Sequence, residues 1–384
     1  MPDVSIRPCA DYSPQTCRAA LEAVLAPFGG LSWAKPGMKI AIKANLVSQL
    51  PPEAAGTTHP ELLCELTKLL LERGAEVILG DSPGGLYNQT YVNSIYKVTG
   101  MTRVEQAGAS LNRDFSTAQA QNPEAVELRD FTYTRYLDDC DAVINFCKLK
   151  THGMMGLSAA AKNLFGVIPG TMKPEYHYRF PTPERFSQMI LDLDEYFKPR
   201  IHICDAVVDM EGNGPTQGTP RPIGALLAAE NPHKLDLLAA ALIDLDPRTV
   251  PTLAAAMGRG YCPGSVAELD IDGDYTPFVV PDYQRIERTN SVLFGVKAPG
   301  FLGVLTDKFL RAALQSRPAP DKNSCIGCQK CANICPAHAI TMKDKVPHID
   351  RKICIGCFCC QEFCPVGAMK VHRPKIASLL ARGS

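Results

Sequence analysis

The 384-residue chain is 46% hydrophobic, and its 40 Lys and Arg residues equal its 40 Asp and Glu residues in number. This length is sufficient for one large domain and one small domain. The zero formal charge argues against nucleic-acid and membrane-surface partners. The N-terminal sequence has no basic segment followed by an apolar one, and no run of about 18 apolar residues occurs. We therefore expect a cytoplasmic protein without a signal peptide or transmembrane segment.

Strand and helix patterns alternate along most of the chain. Short β-branched and apolar runs predict strands at 39–47, 75–80, 141–148, 201–208 and 223–229. Apolar residues at helical spacing predict helices at 60–73, 183–197 and 232–245. The first of these helices has Pro60 at its start and Gly74 just after its end. This alternation predicts an α/β domain with a mostly parallel sheet flanked by helices.

A composition change near residue 317 predicts a domain boundary. Residues 299–315 have an amphipathic helical pattern, and the segment RPAP follows directly at 317–320. The amphipathic segment could lie on a membrane, but its Leu and Phe residues more simply dock the tail onto the main domain. We therefore expect a large α/β domain at 1–316 and a small α+β ferredoxin-type module at 317–384.

The tail contains an internal repeat, because the segment CIGC at 325–328 recurs at 354–357. Both copies extend to C-x2-C-x2-C-x3-C-P, the spacing of bacterial two-cluster ferredoxins, in which the fourth Cys of one run ligates the cluster of the other. The spacing assigns one [4Fe–4S] cluster to Cys325, Cys328, Cys331 and Cys364, and a second to Cys354, Cys357, Cys360 and Cys335. Zinc is the alternative metal, but two complete copies argue against it.

The remaining cysteines have simpler interpretations. Cys359 is surplus to the two runs and is expected to pack without a metal, although it could replace its neighbour Cys360 as a ligand. Seven cysteines scattered before residue 325 are expected to be buried small apolar residues. Because such clusters are oxygen-sensitive, we expect an anaerobic or microaerobic host.

The charge of the tail suggests a partner. Residues 318–384 contain 10 Lys and Arg but only 4 Asp and Glu. The module could therefore dock on its own acidic large domain or receive an acidic ferredoxin or flavodoxin as electron partner. Equally, the basic residues could merely offset the negative charge of the clusters.

Polar side chains concentrate at the predicted strand ends, where α/β sheets bind ligands. They are Lys43, Asn45, His59, Asp81, Ser82, Lys148, Lys150, His152, Lys162, Asn163, Lys173 and His177. We predict that Lys43, Asn45, Asp81, Ser82, Lys148, Lys162 and Asn163 bind a small anionic substrate. Lys150, His152 and His59 are the predicted catalytic residues, because a Lys or His can transfer protons near neutral pH.

Five segments of the large domain carry a family resemblance. They are KANLV, THPELL, GDSPGG, KLKTHGMMGLSAAAKNLFGVIPG and DAVVDMEGNGPTQGTPR, which begin at residues 43, 58, 80, 148 and 205. The chain resembles the domain-of-unknown-function family 362, whose members often carry such a ferredoxin tail. The resemblance implies the architecture rather than the reaction.

Three functions are compatible with these features. The first is an oxidoreductase whose two clusters pass low-potential electrons to an anionic substrate or cofactor in the α/β domain. The second is a non-catalytic electron carrier or maturation factor whose large domain binds a protein. The third is a redox sensor, although no DNA-binding signature accompanies it. A closed pocket at the strand ends would favour the enzyme, whereas a flat face would favour the carrier. Whether the α/β domain holds its own metal or flavin is left open by the sequence.

Overall fold

The computed structural model describes residues 1–286 and 317–372, so the amphipathic segment at 299–315 lies outside the described residues. The strands of the large domain are β1 (Val4–Pro8), β2 (Lys39–Lys43), β3 (Glu76–Gly80), β4 (Ser110–Leu111), β5 (Thr117–Gln121), β6 (Asp130–Thr134), β7 (Ala142–His152), β8 (Gly156–Ser158), β9 (Ile201–Glu211), β10 (Thr219–Ala229) and β11 (Ile271–Asp272).

Nine of these strands form one sheet. Its order is β11-β1-β10-β9-β7-β2-β3-β4, with β8 paired to the end of β7, while β5 and β6 form a separate hairpin. The central strands β9, β7, β2, β3 and β4 run parallel, whereas β10 is antiparallel to both of its neighbours. The fold is therefore α/β with a mostly parallel sheet, as predicted.

Helices cover both faces of the sheet. The helices are α1 (Pro14–Leu25), α2 (Pro60–Leu71), α3 (Gln89–Val98), α4 (Met101–Gln106), α5 (Ala160–Asn163), α6 (Lys173–Arg179), α7 (Pro183–Phe197), α8 (Pro232–Leu242) and α9 (Pro251–Gly258). Ile40 and Ile42 of β2 pack with α1 and α2, whereas Ala41 between them packs with α7 on the other face. This alternation is the pattern expected of a strand that is buried on both sides.

All five predicted strands differ from the observed ones by one to four residues at an end, and hydrogen bonding explains two of these differences. The strand predicted at 39–47 ends at Lys43. The Ala44 amide still donates to the Gly80 carbonyl, but the following two amides leave the sheet, since Asn45 N donates to Thr58 Oγ1 and Leu46 N to Asp81 Oδ2. The strand predicted at 141–148 extends to His152, because β8 pairs with its end.

The C-terminal module contains two short antiparallel strand pairs and two short helices. These elements are β12 (Arg317–Pro320), α10 (Lys330–Asn333), β13 (Ile340–Lys343), β14 (Val346–Ile349), α11 (Cys359–Glu362) and β15 (Met369–His372), with β12 paired to β15 and β13 to β14. Left-handed backbone recurs 29 residues apart at Gly327 and Gly356, with φ of 70° and 68°, and at Gln329 and Phe358, with φ of 62° and 63°. The sequence repeat is thus also a structural repeat.

The module packs directly on the α/β domain. Phe358 and Cys359 belong to the same buried apolar cluster as Met154, Phe165 and other residues of the large domain. Of the seven scattered cysteines, all but the half-buried Cys140 are buried. The packing of Phe358 brings the cysteine-rich segment against the strand ends.

Candidate functional site

A cavity of about 420 Å³ lies where the module meets the carboxyl ends of β2 and β3. We call it the lysine cavity. Seven of the predicted residues line it, namely Lys43, Asn45, Asp81, Ser82, Lys150, Lys162 and Asn163, together with Lys173, His177 and, from the module, Lys330, Cys359, Glu362, Phe363 and Cys364. The structure thus brings together residues that are far apart in sequence.

A buried ion pair forms one wall of the lysine cavity. The Nζ atom of Lys43 lies 2.7 Å from Oδ1 of Asp81, and both side chains are almost completely buried. Burial lowers the pKa of Lys43, while the charge of Asp81 opposes this shift. A Cβ atom on Gly166 would lie 2.1 Å from Asp81 Oδ1 and 2.3 Å from Lys43 Nζ, so only glycine fits beside the pair.

Side-chain amides connect this ion pair to a second lysine. Asn163 Oδ1 accepts hydrogen bonds from Lys43 Nζ at 3.0 Å and from Asn45 Nδ2 at 2.9 Å. Lys150 Nζ in turn donates to Asn45 Oδ1 at 2.6 Å and to the Gly56 carbonyl at 2.7 Å. The network fixes both ammonium groups, but it offers Lys150 only neutral acceptors.

Two further lysines converge on one aromatic ring. The Nζ atoms of Lys162 and Lys173 each lie 5.7 Å from the centroid of the Phe165 ring. Lys173 also donates to the Ser82 carbonyl, whereas Lys162 has no hydrogen-bond or ion-pair partner within residues 1–286 and 317–372. Each ammonium group therefore lacks a carboxylate partner among the described residues.

Burial changes the proton affinity of these lysines. It lowers the pKa of Lys150 to about 7, and repulsion by Lys162 adds to the shift. Burial likewise lowers the pKa of Lys173 to about 7, partly opposed by Asp81. An anion bound in the cavity would favour the protonated form of both groups.

Two buried polar atoms in the cavity wall lack partners in the described part of the chain. One is the Ser82 hydroxyl, and the other is Nδ1 of His177. The His177 ring stacks on Phe186 at 4.4 Å, and burial lowers its pKa to about 3, so it is neutral at pH 7. Because buried polar groups are normally hydrogen-bonded, both atoms are available to a ligand.

His152 lies behind the cavity rather than on its surface. Its Nδ1 atom accepts hydrogen bonds from the Met154 and Met155 amides at 3.1 and 3.2 Å. Its Nε2 atom lies 3.0 Å from Oε1 of Glu362, which does line the cavity. Burial lowers the pKa of His152 to about 4. Both ring nitrogens are therefore engaged with the protein.

His59 and Lys148 do not line the lysine cavity but belong to a second polar cluster. Lys148 Nζ lies 2.8 Å from both Asp205 Oδ2 and the Tyr12 hydroxyl. The His59 ring stacks on Tyr12 at 3.5 Å, and its Nδ1 atom accepts a hydrogen bond from the Glu61 amide in the first turn of α2. In this arrangement His59 caps a helix and Lys148 balances a buried carboxylate.

The eight predicted ligand cysteines form two groups of four. One hollow in the module is lined by Cys325, Cys328, Cys331 and Cys364, and another by Cys335, Cys354, Cys357 and Cys360. No Asp, Glu or His lines either hollow within the described part of the module, so the donor atoms are thiol sulfurs. This donor set fits a [4Fe–4S] cluster in each hollow.

Equivalent sulfurs in the two halves accept equivalent hydrogen bonds. The Ala339 amide donates to Cys335 Sγ at 3.3 Å, and the Ala368 amide donates to Cys364 Sγ at 3.2 Å.

The lysine cavity adjoins both hollows. Cys364 lines the first hollow and the cavity, and Cys359 lines the second hollow and the cavity.

Some residues of the site could not be assigned from the sequence. Asp236 of α8 accepts hydrogen bonds from the Ala160 and Ala161 amides and so holds the short helix that carries Lys162 and Asn163. Glu362 and Phe363 enter the cavity only because the module folds back on the large domain. In the sequence, only their position beside Cys364 indicated that they could contribute to a site.

Comparisons with known proteins identify both parts. Residues 40–241 match the family described as Domain of unknown function (DUF362), and residues 324–368 match the 4Fe-4S dicluster domain. The chain belongs to the domain-of-unknown-function family 362. It is an iron–sulfur protein with a ferredoxin-type 4Fe–4S domain.

One curated relative and two solved structures give further comparisons. The chain is 31% identical over 274 residues to a thylakoid-associated protein of Synechocystis sp., a match that covers 69% of this chain and 82% of that protein. The lactate racemase apoprotein of Thermoanaerobacterium thermosaccharolyticum aligns with a TM-score of 0.37 and 14% identity, over 59% of this chain and 54% of that one. A protein from Thermotoga maritima aligns with a TM-score of 0.34 and 14% identity, over 54% and 53% of the two chains. The alignments thus span about half the length of each solved chain.

Among residues 1–286 and 317–372, no helix combines the length and the apolar character that a bilayer crossing requires.

Proposed function

We propose that the protein is an iron–sulfur oxidoreductase that transfers electrons between two [4Fe–4S] clusters in the module and a small anionic molecule in the lysine cavity. The observation that carries the proposal is the shared lining of these sites. Cys364 lines both the first hollow and the cavity, and Cys359 lines both the second hollow and the cavity. An electron leaving either cluster would therefore have a short path to a bound molecule.

The clusters, when bound, would supply single electrons at low potential. Cys325, Cys328, Cys331 and Cys364 would hold one cluster, and Cys354, Cys357, Cys360 and Cys335 the other. Cys359 would separate the second cluster from the bound molecule as a buried, non-ligating side chain. The wall formed by Glu362 and Phe363 would limit access of water to the reacting groups.

The lysines would bind the molecule and supply protons. Lys150, Lys162 and Lys173 would neutralise its negative charge, because none of them has a carboxylate partner among the described residues. Lys150 would also act as a general acid, since its pKa of about 7 allows protonation and release near neutral pH. His152 would hold Glu362 in place, and we assign no catalytic step to His59 or Lys148.

The concave shape of the site favours an enzyme over a carrier whose large domain binds a protein. A protein partner would instead be suited to the outer surface of the module. There the first hollow reaches the solvent, because Cys328 is exposed and Ile326 is 63% exposed. Because Lys330 and Lys345 are nearby and positively charged, this surface would bind an acidic ferredoxin or flavodoxin as electron partner.

The test uses anaerobically purified, cluster-loaded protein. The clusters are reduced, small-molecule fractions of an anaerobic cell extract are added, and reoxidation is followed by stopped-flow absorbance. We expect one fraction to reoxidise the wild type and the Lys97→Met control, whose substitution lies on the exposed part of α3. Lys162→Met should lose the response while keeping its cluster absorbance and EPR signals. The proposal would be contradicted if the active fraction reoxidised Lys162→Met as fast as the wild type. It would also be contradicted if no fraction reoxidised the wild type.

A further inference from the structure

The charges that line the lysine cavity do not balance. Four lysines of the α/β domain line it, namely Lys43, Lys150, Lys162 and Lys173, against two carboxylates, Asp81 and Glu362. Lys43 and Asp81 neutralise each other at 2.7 Å. With all of them protonated, and leaving out Lys330 of the module, which is exposed to solvent, three lysines face one carboxylate, and this leaves an excess of two positive charges. Because unpaired buried charges are costly, a bound ligand with two negative charges would restore the balance.

These lysines retain enough free N–H donors to bind a charged ligand group that has several oxygen atoms. An ammonium group has three N–H donors. Lys150 uses two of them on Asn45 and Gly56, and Lys173 uses one on Ser82. Lys162 uses none on the part of the chain that the structure describes. Lys162 and Lys173 converge near the Phe165 ring, and Lys150 and the unpartnered Ser82 hydroxyl line the same cavity.

Part of the lining of the lysine cavity is apolar. Val47, Leu50, Leu86 and Tyr91 line it from the large domain, and Phe363 lines it from the module. Phe363 is adjacent to Cys364, so this wall is also the one nearest the first hollow. A ligand with its charged head at the lysines would therefore place its remaining part beside the cluster-binding cysteines.

We infer that the lysine cavity binds an amphipathic organic dianion, with a doubly charged oxyanion head at Lys150, Lys162 and Lys173 and an apolar, conjugated body against Phe363. The inference rests on the proposed function only for the conjugated character of the body, since a group that accepts electrons must lie next to Cys364. The head could be a phosphate monoester or a pair of carboxylates, which present the same charge to the same donors.

The test measures equilibrium binding by calorimetry on cluster-loaded, oxidised protein at pH 8. Phenyl phosphate is the dianionic probe, because the second pKa of a phosphate monoester is about 6. Phthalate presents two carboxylates on a ring, benzenesulfonate is a monoanion of similar shape, and inorganic phosphate lacks the apolar body. We expect phenyl phosphate or phthalate to bind at least ~10-fold more tightly than benzenesulfonate and inorganic phosphate. The tighter of the two dianions identifies the type of head.

Variants locate the binding. Lys162→Met and Lys173→Met should each weaken phenyl phosphate binding by ~10-fold or more, whereas Lys97→Met should not. Leu86→Ala, at the cavity mouth, should weaken phenyl phosphate but leave inorganic phosphate unchanged. Equal affinity for phenyl phosphate and benzenesulfonate, or wild-type affinity in both lysine variants, would overturn the inference.

Because the binding test involves no electron transfer, its outcome is separate from that of the reoxidation test. Dianion binding without reoxidation by any extract fraction would leave the ligand class standing and reject the oxidoreductase. Conversely, reoxidation by an extract molecule without any preference for dianions would reject the ligand class and leave the oxidoreductase standing.

Discussion

His152 at the end of β7 lies with its Nε2 atom 3.0 Å from Oε1 of Glu362 in α11 of the module. The contact joins the two domains beside the lysine cavity. It is supported by Gln361, whose side-chain amide donates to the Asn213 and Gly214 carbonyls at 2.9 and 3.0 Å. The segment between the predicted ligand cysteines Cys360 and Cys364 is therefore held by side chains and backbone of the large domain.

Replacing His152 by Ala should loosen the segment around Glu362 without removing the clusters. We expect faster hydrogen exchange of the amides at 359–365, together with unchanged cluster absorbance, because the substitution removes a contact of Glu362 and no ligand. A catalytic acid would give a different result: activity would be lost while exchange at 359–365 stayed at the wild-type rate. Lys97→Met serves as the control for non-specific effects.

Binding of a dianion should be accompanied by proton uptake. The pKa values of Lys150 and Lys173 are about 7 in the free protein, so both lysines are largely neutral at pH 8. Lys150 is influenced by Lys162, Lys148, Asp81 and Glu362, and an added anion would raise its pKa. Affinity for phenyl phosphate should therefore be greatest between about pH 6, where the probe becomes a dianion, and pH 7, and it should decrease as pH rises towards the pKa of the bound state.

Calorimetry in two buffers of different ionisation enthalpy measures this uptake directly. We expect a positive proton count for phenyl phosphate at pH 8 and a smaller count in Lys150→Met. A count of zero in the wild type at pH 8 would show that the lysines are already charged before the ligand binds.

Gly166→Ala should destabilise the large domain. The new Cβ would lie 2.1 Å from Asp81 Oδ1 and 2.3 Å from Lys43 Nζ, so the buried ion pair would have to separate. Disrupting such a pair costs about 3 kcal/mol, which corresponds to a decrease in melting temperature of roughly 5–10 °C. Gly258→Ala is the matched control, because its Cβ would meet no atom within 4 Å. Similar melting temperatures for the two variants would refute the steric argument.

Crossed ligation predicts which cysteine substitutions share a phenotype. Cys331→Ser and Cys364→Ser should remove the same cluster EPR signal, although Cys364 follows the second run in sequence. Cys360→Ser should remove the other signal, and Cys359→Ser should keep both, because we predict that its thiol is not a ligand. Iron and sulfide analysis provides the independent measure. Matching spectra for Cys364→Ser and Cys360→Ser would instead indicate that each run ligates its own cluster.

The strands and helices of the large domain were largely predictable, because buried parallel strands and amphipathic helices have distinct periodicities. Helix α7 has the predicted limits, and β3 starts one residue later than expected. The end of β2 was not predictable, since it depends on amides that bond to Thr58 and Asp81 rather than to a strand.

The predictions for the site were more uneven. Strand-end reasoning placed Lys43, Asp81 and Lys150 near one another, and they all line the cavity. The same reasoning included Lys148, which instead contacts Asp205 and Tyr12. Sequence patterns indicate which end of a sheet a side chain occupies, but not the direction in which it points. The contribution of Glu362 depends on domain packing, which short motifs do not encode.

The wall of the lysine cavity formed by Glu362, Phe363 and Cys364 lies between ligands of the two proposed clusters. With both proposed clusters in place, this stretch would be fixed at both ends, and we expect the cavity to bind its ligand only in that state. We expect newly made chains to be unable to retain the ligand until they mature. Loss of the clusters through damage by oxygen would have the opposite effect on binding, so that a chain unable to reduce its ligand would also release it.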